Sequence, residues 1–562
     1  MRPSEYPPKV QEEEFISPIS GRAENRIEVG ILFVGAGPAN LAGAIRLAQL
    51  LETSPQVRSS LGDFPIAVIE KGKYPGAHLL AGAILNPVSL MRLFPHRSVD
   101  EFPFSAPVQK EAIYFLTSRR AYRVPLPPTM RNKGNYAISL SRLCRWLAEQ
   151  AEALGVSLFS ETPGVKLLVE NGSIRGVRVG DKGRDRQGAP LENFQEGSDL
   201  LARATVLGEG AQGHLTQAAI AHFRLSRANP QTYSLGVKEI WELPRAFQEV
   251  VHTVGWPLRS GSRYNEFGGS FIYPMGGNRV AVGLVVGLGY RDASISVHDH
   301  LQLLKTHPLF HSILGKGQRL ANGWGAKTLP EGGFYSLPNP LHLPGGLLVG
   351  DGAGFLNVPA LKGIHYAMES GMLAAETIFA ALKEGLDLGE ASSLSGYDQA
   401  VDSGFIGRDL YRGRNLRQAF EYGLFPGAAL AGIMTLTRGM FPGWRFETVR
   451  DADQPLFIEE RAYPKPDGQL LFDKLSSVHA SGNRSRDHQP NHLRVESAVP
   501  DLIGEAWINM CPARVYEWGL DDQGRKVIRT NPTNCVQCGA IGAKGGRLTP
   551  PEGGSGPQYT ET

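Results

Sequence analysis

The stretch RIEVGILFVGAGPAN, residues 26–40, decides the fold. Arg26–Val34 is a mostly apolar run, of a length and composition that suit a buried strand. Pro38–Leu50 carries a helical pattern with proline in its first turn, where the missing N–H has no intrahelical partner to lose. Phe64–Glu70 (FPIAVIE) reads as a second strand, so the chain opens β-α-β and its fold class is α/β. Gly35 permits the tight turn. Gly37 lets the backbone approach a pyrophosphate, which the free N–H groups and dipole of the helix N-terminus favour. Asn40 stands where the third glycine of GxGxxG usually allows close helix–strand packing. Glu70 closes the second strand, where an acid takes ribose hydroxyls. It lies beyond the usual ~20-residue spacing because of the polar insertion Thr53–Asp63. On this fingerprint alone, a dinucleotide site and a plain β-α-β turn both remain open.

Leu347–Gly354 (LLVGDGAG) places Gly350-Asp351 directly after a buried strand, far downstream. It resembles the Gly-Asp element that contacts the ribityl chain of FAD in flavoproteins of the two-dinucleotide-binding type. Leu207–Gly213 (LGEGAQG) resembles the intermediate element of that fold. The three elements in this order point to FAD. Gly363-Ile364-His365 begins the next helix, whose N-terminus would face the isoalloxazine and favour its anionic reduced form. His365 itself reads as a polar core residue rather than a proton donor. Between these elements the pattern predicts a helix over 139–153, a strand over 156–159, a hairpin around Asn171-Gly172 and a short strand over 204–207. From Gln231 to Leu288 the chain changes to β runs (233–243, 270–274, 279–286), which predicts a second, sheet-rich domain. A buried strand over 346–349 and a helix over 363–382 return to the first domain. After Pro442 the chain is rich in Pro, Asp and Gly with short apolar pieces, a segment that a metal centre would hold together.

At 562 residues the chain exceeds one domain. The 67 glycines are well above the usual share of about 7% and cluster in loops such as Gly345-Gly346. A net charge of +3, with no basic run, argues against nucleic acid as a partner. Four cysteines make no disulfide framework, and Cys144, inside an amphipathic pattern, reads as a buried thiol. The first 25 residues show neither the apolar core of a signal peptide nor the Arg-rich face of a transit peptide, so a reducing, cytoplasm-facing location is expected. No run of 18 apolar residues is present to span a bilayer. Leu424–Leu436 (LFPGAALAGIMTL) is nearly free of polar side chains, and Arg438, Met440, Phe441, Pro442 and Trp444 follow. A helix of that length reaches roughly 20 Å, too short to cross. It reads either as a core helix or as an element lying in a membrane interface.

Cys511 opens Cys511-Pro512-Ala513, and Cys535 and Cys538 form a CxxC step in a Gly-rich stretch. The spacing suggests an iron–sulfur ligand set. A four-thiolate cube needs one more ligand, and the next step lands on Ile541. Four outcomes stay open: a [4Fe-4S] cluster with a non-cysteine fourth ligand, a [3Fe-4S] centre, no cluster, or a structural zinc completed by His479, His488 or His492.

With these residues in hand the chain resembles the electron-transfer-flavoprotein:ubiquinone oxidoreductase family from about Ile31 to Tyr559. The matching words are long: Gly76-Ala77-His78 with Gly82-Ala83, Gly134-Asn135-Tyr136, Pro230–Tyr233 (PQTY), His252–Leu258 (HTVGWPL), Gly268–Phe271 (GGSF), Asn357-Val358-Pro359, Tyr463–Gly468 (YPKPDG), Cys511-Pro512-Ala513 with Val515-Tyr516-Glu517, and Pro551–Gly554 (PEGG). The family pattern at the cluster is Cys-Pro followed by CxxCxxC, from which Ile541 departs. The resemblance implies a two-dinucleotide-binding-type FAD domain (26–230 and 331–423), an inserted β-rich quinone domain (231–330), a membrane-associated segment (424–445) and a C-terminal ferredoxin-like iron–sulfur domain (446–562). It implies an electron-transferring-flavoprotein dehydrogenase, monotopic on the cytoplasmic face of the inner membrane. Such an enzyme takes electrons from reduced electron-transfer flavoprotein and passes them through FAD and the cluster to ubiquinone. FAD would be held by Gly35, Gly37, Asn40, Glu70, Gly350, Asp351 and Gly363, quinone by the backbone of Gly268 and Gly269, and the metal by Cys511, Cys535 and Cys538. No general acid or base is nominated. The competing readings are an FAD-dependent reductase or hydroxylase that acts on a lipid-like substrate without a cluster, and an FAD-stabilised membrane scaffold with a structural metal.

Overall fold

Arg26–Val34 is the hinge of the first sheet. It is buried from Val29 onward and pairs parallel with Ile66–Ile69 on one side and Asp199–Leu207 on the other. A computed structural model describes the whole chain except Gly21, Gly82 and Ala83; the Gly82-Ala83 word of the resemblance lies outside the described residues. Parallel strands buried on both faces read as continuous apolar runs, which is why these segments were legible. Ser157–Phe159 extends the sheet beyond Ile66–Ile69, and Gly346–Leu348 adds a parallel strand beside Asp199–Leu207. The hairpin Gly164–Glu170 and Ser173–Val179 completes the far side, turning at Asn171-Gly172 with both residues in the left-handed region.

Two helices cover this sheet where it meets the ligand. Pro38–Glu52 packs against Ile364–Lys383. The crossing is close because Gly43 and Gly371 face each other: a Cβ on Gly371 would lie 1.8 Å from the Ala39 carbonyl oxygen. The helix Leu140–Ala153 buries Cys144 in the same core, where burial pushes the thiol up.

The second sheet runs in the order Gln318–Pro330, Tyr233–Glu242, Arg279–Gly287, Gly268–Pro274, Glu249–Gly255, Lys110–Leu116, Ala121–Val124. Its last two strands come from the stretch assigned above to the FAD domain. Lys110–Leu116 pairs parallel with Glu249–Gly255, so the sheet is not confined to 231–330. Ladder hydrogen bonds recruit an edge without regard to distance in sequence. One face of the sheet buries Val250, Phe271, Tyr273 and Ala281 with Ile84 and Ala137 of the flavin side. The other face joins a core that includes Trp507, Ile503, Cys511, Cys535 and Ile541 from the C-terminal segment.

That segment holds the helix Asp501–Met510, the hairpin Tyr516–Leu520 and Lys526–Thr530, and the short helix Ala540–Ala543. Its tail returns to the other domains. The Tyr559 N–H donates to the Ala77 carbonyl, the Tyr559 hydroxyl accepts from the Ala326 N–H at 3.1 Å, and the Arg145 guanidinium holds the Thr560 carbonyl at 2.6 Å. Leu424–Leu436 is a helix with the bounds read from sequence, packed against the short helix Gln418–Tyr422.

Candidate functional site

The turn at Gly35 is the starting point. Its φ of +95° suits glycine, and a Cβ there would meet the Gly208 carbonyl at 2.9 Å. The first helix begins at Gly37 with no side-chain cap, so its N–H groups are free for a ligand. Asn40, expected in the ligand site, lies behind it. Fully buried, its amide donates to the carbonyls of Val34 at 2.7 Å and Gly35 at 2.8 Å. It replaces close packing at the third glycine position with two hydrogen bonds that hold the turn, and it contributes nothing to the cavity lining. Glu70 accepts from the Ala36 N–H at 2.9 Å and the Gly72 N–H at 2.7 Å. A carboxylate so anchored keeps lone pairs for ribose hydroxyls.

Gly35, Gly37, Glu70, Gly208, Asp351 and Gly363 line one cavity of about 840 Å³. Gly350 holds the left-handed turn that brings Asp351 to it. Burial pushes the Asp351 carboxyl up to about 6, and Lys327 opposes that shift. His365 packs against Tyr366 and Phe405 outside the cavity lining, as a core residue, with burial holding its imidazole neutral. The cavity also holds side chains that the sequence did not single out. His78 is buried with both ring nitrogens unpaired, and Gln212 Nε2 and Gln537 Oε1 are likewise buried and unpaired. Buried polar atoms without partners are costly and rare, so their gathering on one wall fits a polar ligand such as FAD. The one available signal for His78 was the Gly76-Ala77-His78 word.

Gln537, Cys538 and Gly539, with Leu548, Thr549 and Pro550, are the C-terminal segment's share of the cavity lining. Strand Gln318–Pro330 clamps the first two: Thr328 N–H and Oγ1 both donate to the Cys538 carbonyl, at 2.9 and 2.8 Å, and the Lys327 amine donates to the Gln537 carbonyl at 3.1 Å. Cys511 Sγ accepts from the Val515 N–H and Cys535 Sγ from the Gln537 N–H, each at 3.4 Å. Burial raises all three thiols, Cys538 to about 12, and each of Cys535 and Cys538 is raised further by a neighbouring cysteine. Three thiols that resist ionising together suit a centre that brings its own positive charge. The fourth corner does not. Ile541 is buried in the same apolar core as the cysteines and offers no donor. Among the described residues no three His, Cys, Asp or Glu side chains converge on a single metal ion. His492 is buried with both ring nitrogens unpaired. Cys511 and Cys535 lie in one apolar core with Cys538 packed against it, and three thiols suit an iron–sulfur centre by their chemistry.

The second sheet supplies the far wall. Gly268 and Gly269 line the cavity with His252, Phe271 and Tyr273. Their lack of side chains has a structural reason as well: a Cβ on Gly268 would lie 2.1 Å from the Val285 carbonyl oxygen and one on Gly269 2.5 Å from that of Thr253. At its other end the cavity is lined by Leu424, Ala428, Ala431, Gly432, Thr435 and Leu436. Phe425 is 65% exposed, Leu436 86% and Trp444 63%, with Met440 beside them. Exposed large apolar side chains this close in sequence mark an interaction surface. No described helix is long and apolar enough to cross a membrane.

Comparison with known proteins agrees with this layout. Residues 233–329 match a family model described as ETF-QO, ubiquinone-binding, and residues 468–560 one described as electron transfer flavoprotein-ubiquinone oxidoreductase, 4Fe-4S. The chain is 40% identical to the mitochondrial electron transfer flavoprotein-ubiquinone oxidoreductase of Oryza sativa subsp. japonica, over 94% of this chain and 92% of that one. It is 38% identical to the protein of the same name in Pseudomonas aeruginosa, over 95% and 98%. Among solved structures, a geranylgeranyl bacteriochlorophyll reductase-like protein of Thermoplasma acidophilum superposes with a TM-score of 0.55 at 18% identity, covering 77% of this chain and 93% of that one. That likeness shows the fold alone.

Proposed function

The chain belongs to the electron transfer flavoprotein-ubiquinone oxidoreductase family, and from that premise we propose how its parts divide the work. It is an oxidoreductase with a quinone acceptor. It takes electrons from reduced electron-transfer flavoprotein and passes them, by way of FAD and an iron–sulfur centre, to ubiquinone. FAD supplies the ability to take and give electrons singly or in pairs. This chain's own residues do the rest. Gly37 and the N-terminus of Pro38–Glu52 receive the pyrophosphate, Glu70 the ribose, and Asp351 the ribityl chain, while the N-terminus at Gly363 favours negative charge on the flavin ring. Cys511, Cys535 and Cys538 hold the metal centre, with Thr328 and Lys327 fixing their loop against the flavin wall.

The observation that carries the reading is that one cavity is lined by the Gly35–Gly37 turn, Cys538, Gly268-Gly269 and Leu436 alike. An apolar quinone entering from lipid needs such an apolar mouth. The helix Leu424–Leu436, with Met440, Phe441 and Trp444, lies in the membrane interface, and Arg438 and Arg445 face the head groups. The protein is then monotopic, on the cytoplasmic face of the inner membrane. The rival reading of a cluster-independent reductase has the same fold in its favour but leaves Cys511, Cys535 and Cys538 without a role.

The test is a comparison of two donors. Reduced electron-transfer flavoprotein is expected to drive reduction of a short-chain ubiquinone by the purified protein, with NADPH alone leaving the flavin oxidised. Rapid bleaching of the flavin by NADPH, with no turnover on the flavoprotein, would refute the assignment in favour of the reductase.

A further inference from the structure

Making a quinol takes two protons as well as two electrons, and the elements described so far account only for electrons. The register of the second sheet supplies a candidate. His252 lies opposite Phe271 in the antiparallel pair of Glu249–Gly255 with Gly268–Pro274. Side chains alternate along a strand, so His252, Phe271 and Tyr273 share the face that also carries Gly269. This is the face turned to the flavin side, and His252 and Tyr273 line the cavity with Gly268 and Gly269. His252 is 4% exposed, its Nε2 lies 2.6 Å from the Tyr273 hydroxyl, and its Nδ1 is buried without a partner. Burial holds the imidazole neutral, with Lys362 acting in the same direction. A neutral imidazole has one donor and one acceptor nitrogen. With Nε2 accepting from Tyr273, Nδ1–H becomes a donor with nothing on the protein to receive it. The Lys362 ammonium is near enough to act on His252, and Glu111 acts in turn on Lys362. Glu111 sits half-buried on the strand Lys110–Leu116, which pairs with Glu249–Gly255.

We propose that His252, backed by Tyr273, delivers one of the two protons that convert ubiquinone to ubiquinol; this rests on the placement of the quinone beside Gly268-Gly269. The quinone gains two electrons from the flavoprotein and two protons, and two O–H bonds form. For one of them the Nδ1–H bond of His252 breaks. As it does, Nε2 takes the Tyr273 hydroxyl proton; return of that proton to the phenolate and uptake of a proton from water at Nδ1 restore the pair. The nearby Lys362 cation offsets the negative charge in the interval. The second proton comes from water directly.

The test uses full-length protein with flavin bound, as Tyr273→Phe and His252→Gln. Tyr273→Phe keeps the ring that stacks on Phe271 at 4.4 Å and removes only the hydroxyl. Quinone reduction is expected to fall roughly tenfold to a hundredfold in both variants, the lower part of what general acid catalysis contributes. The slowing of that reaction in D2O should grow, because proton transfer then limits it, while the dissociation constant of a short-chain ubiquinone stays close to the parent value. A purely structural role would alter flavin content or quinone affinity and leave the isotope effect alone. Parent rates and parent isotope effects in both variants, with quinone still bound, overturn the relay and spare the site. Leu258→Trp, which narrows the cavity beside Gly268, tests the site by itself. Unchanged quinone affinity there overturns the placement and the relay together.

Discussion

The flavin cradle and the cysteine pocket are neighbours on one cavity wall, yet they depend on their residues in different ways. The cradle draws on three separate stretches of chain, and most of what it offers is backbone: the turn at Gly35, the free helix start at Gly37, the Gly208–Gly210 loop and the Gly350 turn. When Asn40 takes the place of the usual third glycine, the site absorbs it, because the amide binds the same turn from behind. The cysteine pocket draws on three side chains. When Ile541 stands at the fourth position, it adds a buried apolar side chain and no ligand. A site built of many weak backbone contacts tolerates a substitution that a coordination shell records as a change of chemistry.

That contrast can be broken most sharply at the cysteines. Cys535→Ala is expected to abolish the low-temperature paramagnetic signal and the acid-labile sulfide while flavin content per chain stays near that of the parent; an unchanged signal would remove Cys535 from the ligand set. On the cradle side, Asp351→Ala should weaken FAD binding by roughly tenfold to a hundredfold, the worth of about 1.5–3 kcal/mol for hydrogen bonds to a charged group. Flavin absorbance after gel filtration reads it, and full occupancy would contradict the role. Ile541→Cys probes the same contrast in the other direction. A fourth thiolate should raise iron per chain and slow its loss in air by about tenfold, within the range by which changes around a metal alter its retention; iron content unmoved by the substitution would mean that the fourth corner is not at 541. The smallest effect is expected at the apolar patch. Leu436→Asp should lower binding to lipid vesicles by about tenfold, since a buried leucine is worth about 1.5–3 kcal/mol. Folding stability should change by no more than about 0.5 kcal/mol at so exposed a position. Vesicle binding equal to that of the parent would point to a different use of the patch.

The flavin fold was legible because its decisive elements are local. A buried parallel strand, a glycine turn and a helix with proline at its start lie within 26–52, and the observed helix is Pro38–Glu52. The helix Leu424–Leu436 was legible for the same reason, since glycine precedes it and the apolar run ends at Leu436. What the sequence hid was pairing at a distance. Lys110–Leu116 looked like part of the first domain because its partner, Glu249–Gly255, is remote in the chain. The His252–Tyr273 pair is hidden for a related reason: only strand register brings the two to one face, and the word HTVGWPL that opens with His252 does not reach Tyr273. His78, Gln212 and Gln537 meet through three separate segments, and their significance lies in hydrogen bonds they do not make. The role of Asn40 was misjudged because a fingerprint position was taken for a ligand contact, whereas its side chain turns back to Val34 and Gly35.

An anaerobic reductive titration of the purified protein tests the central claim, that flavin and metal centre act on one chain. The account predicts uptake of about three electrons per chain, two by FAD and one by the iron–sulfur centre, all of them returned on addition of a short-chain ubiquinone. Uptake of only about two, with no paramagnetic species at any stage, would contradict it.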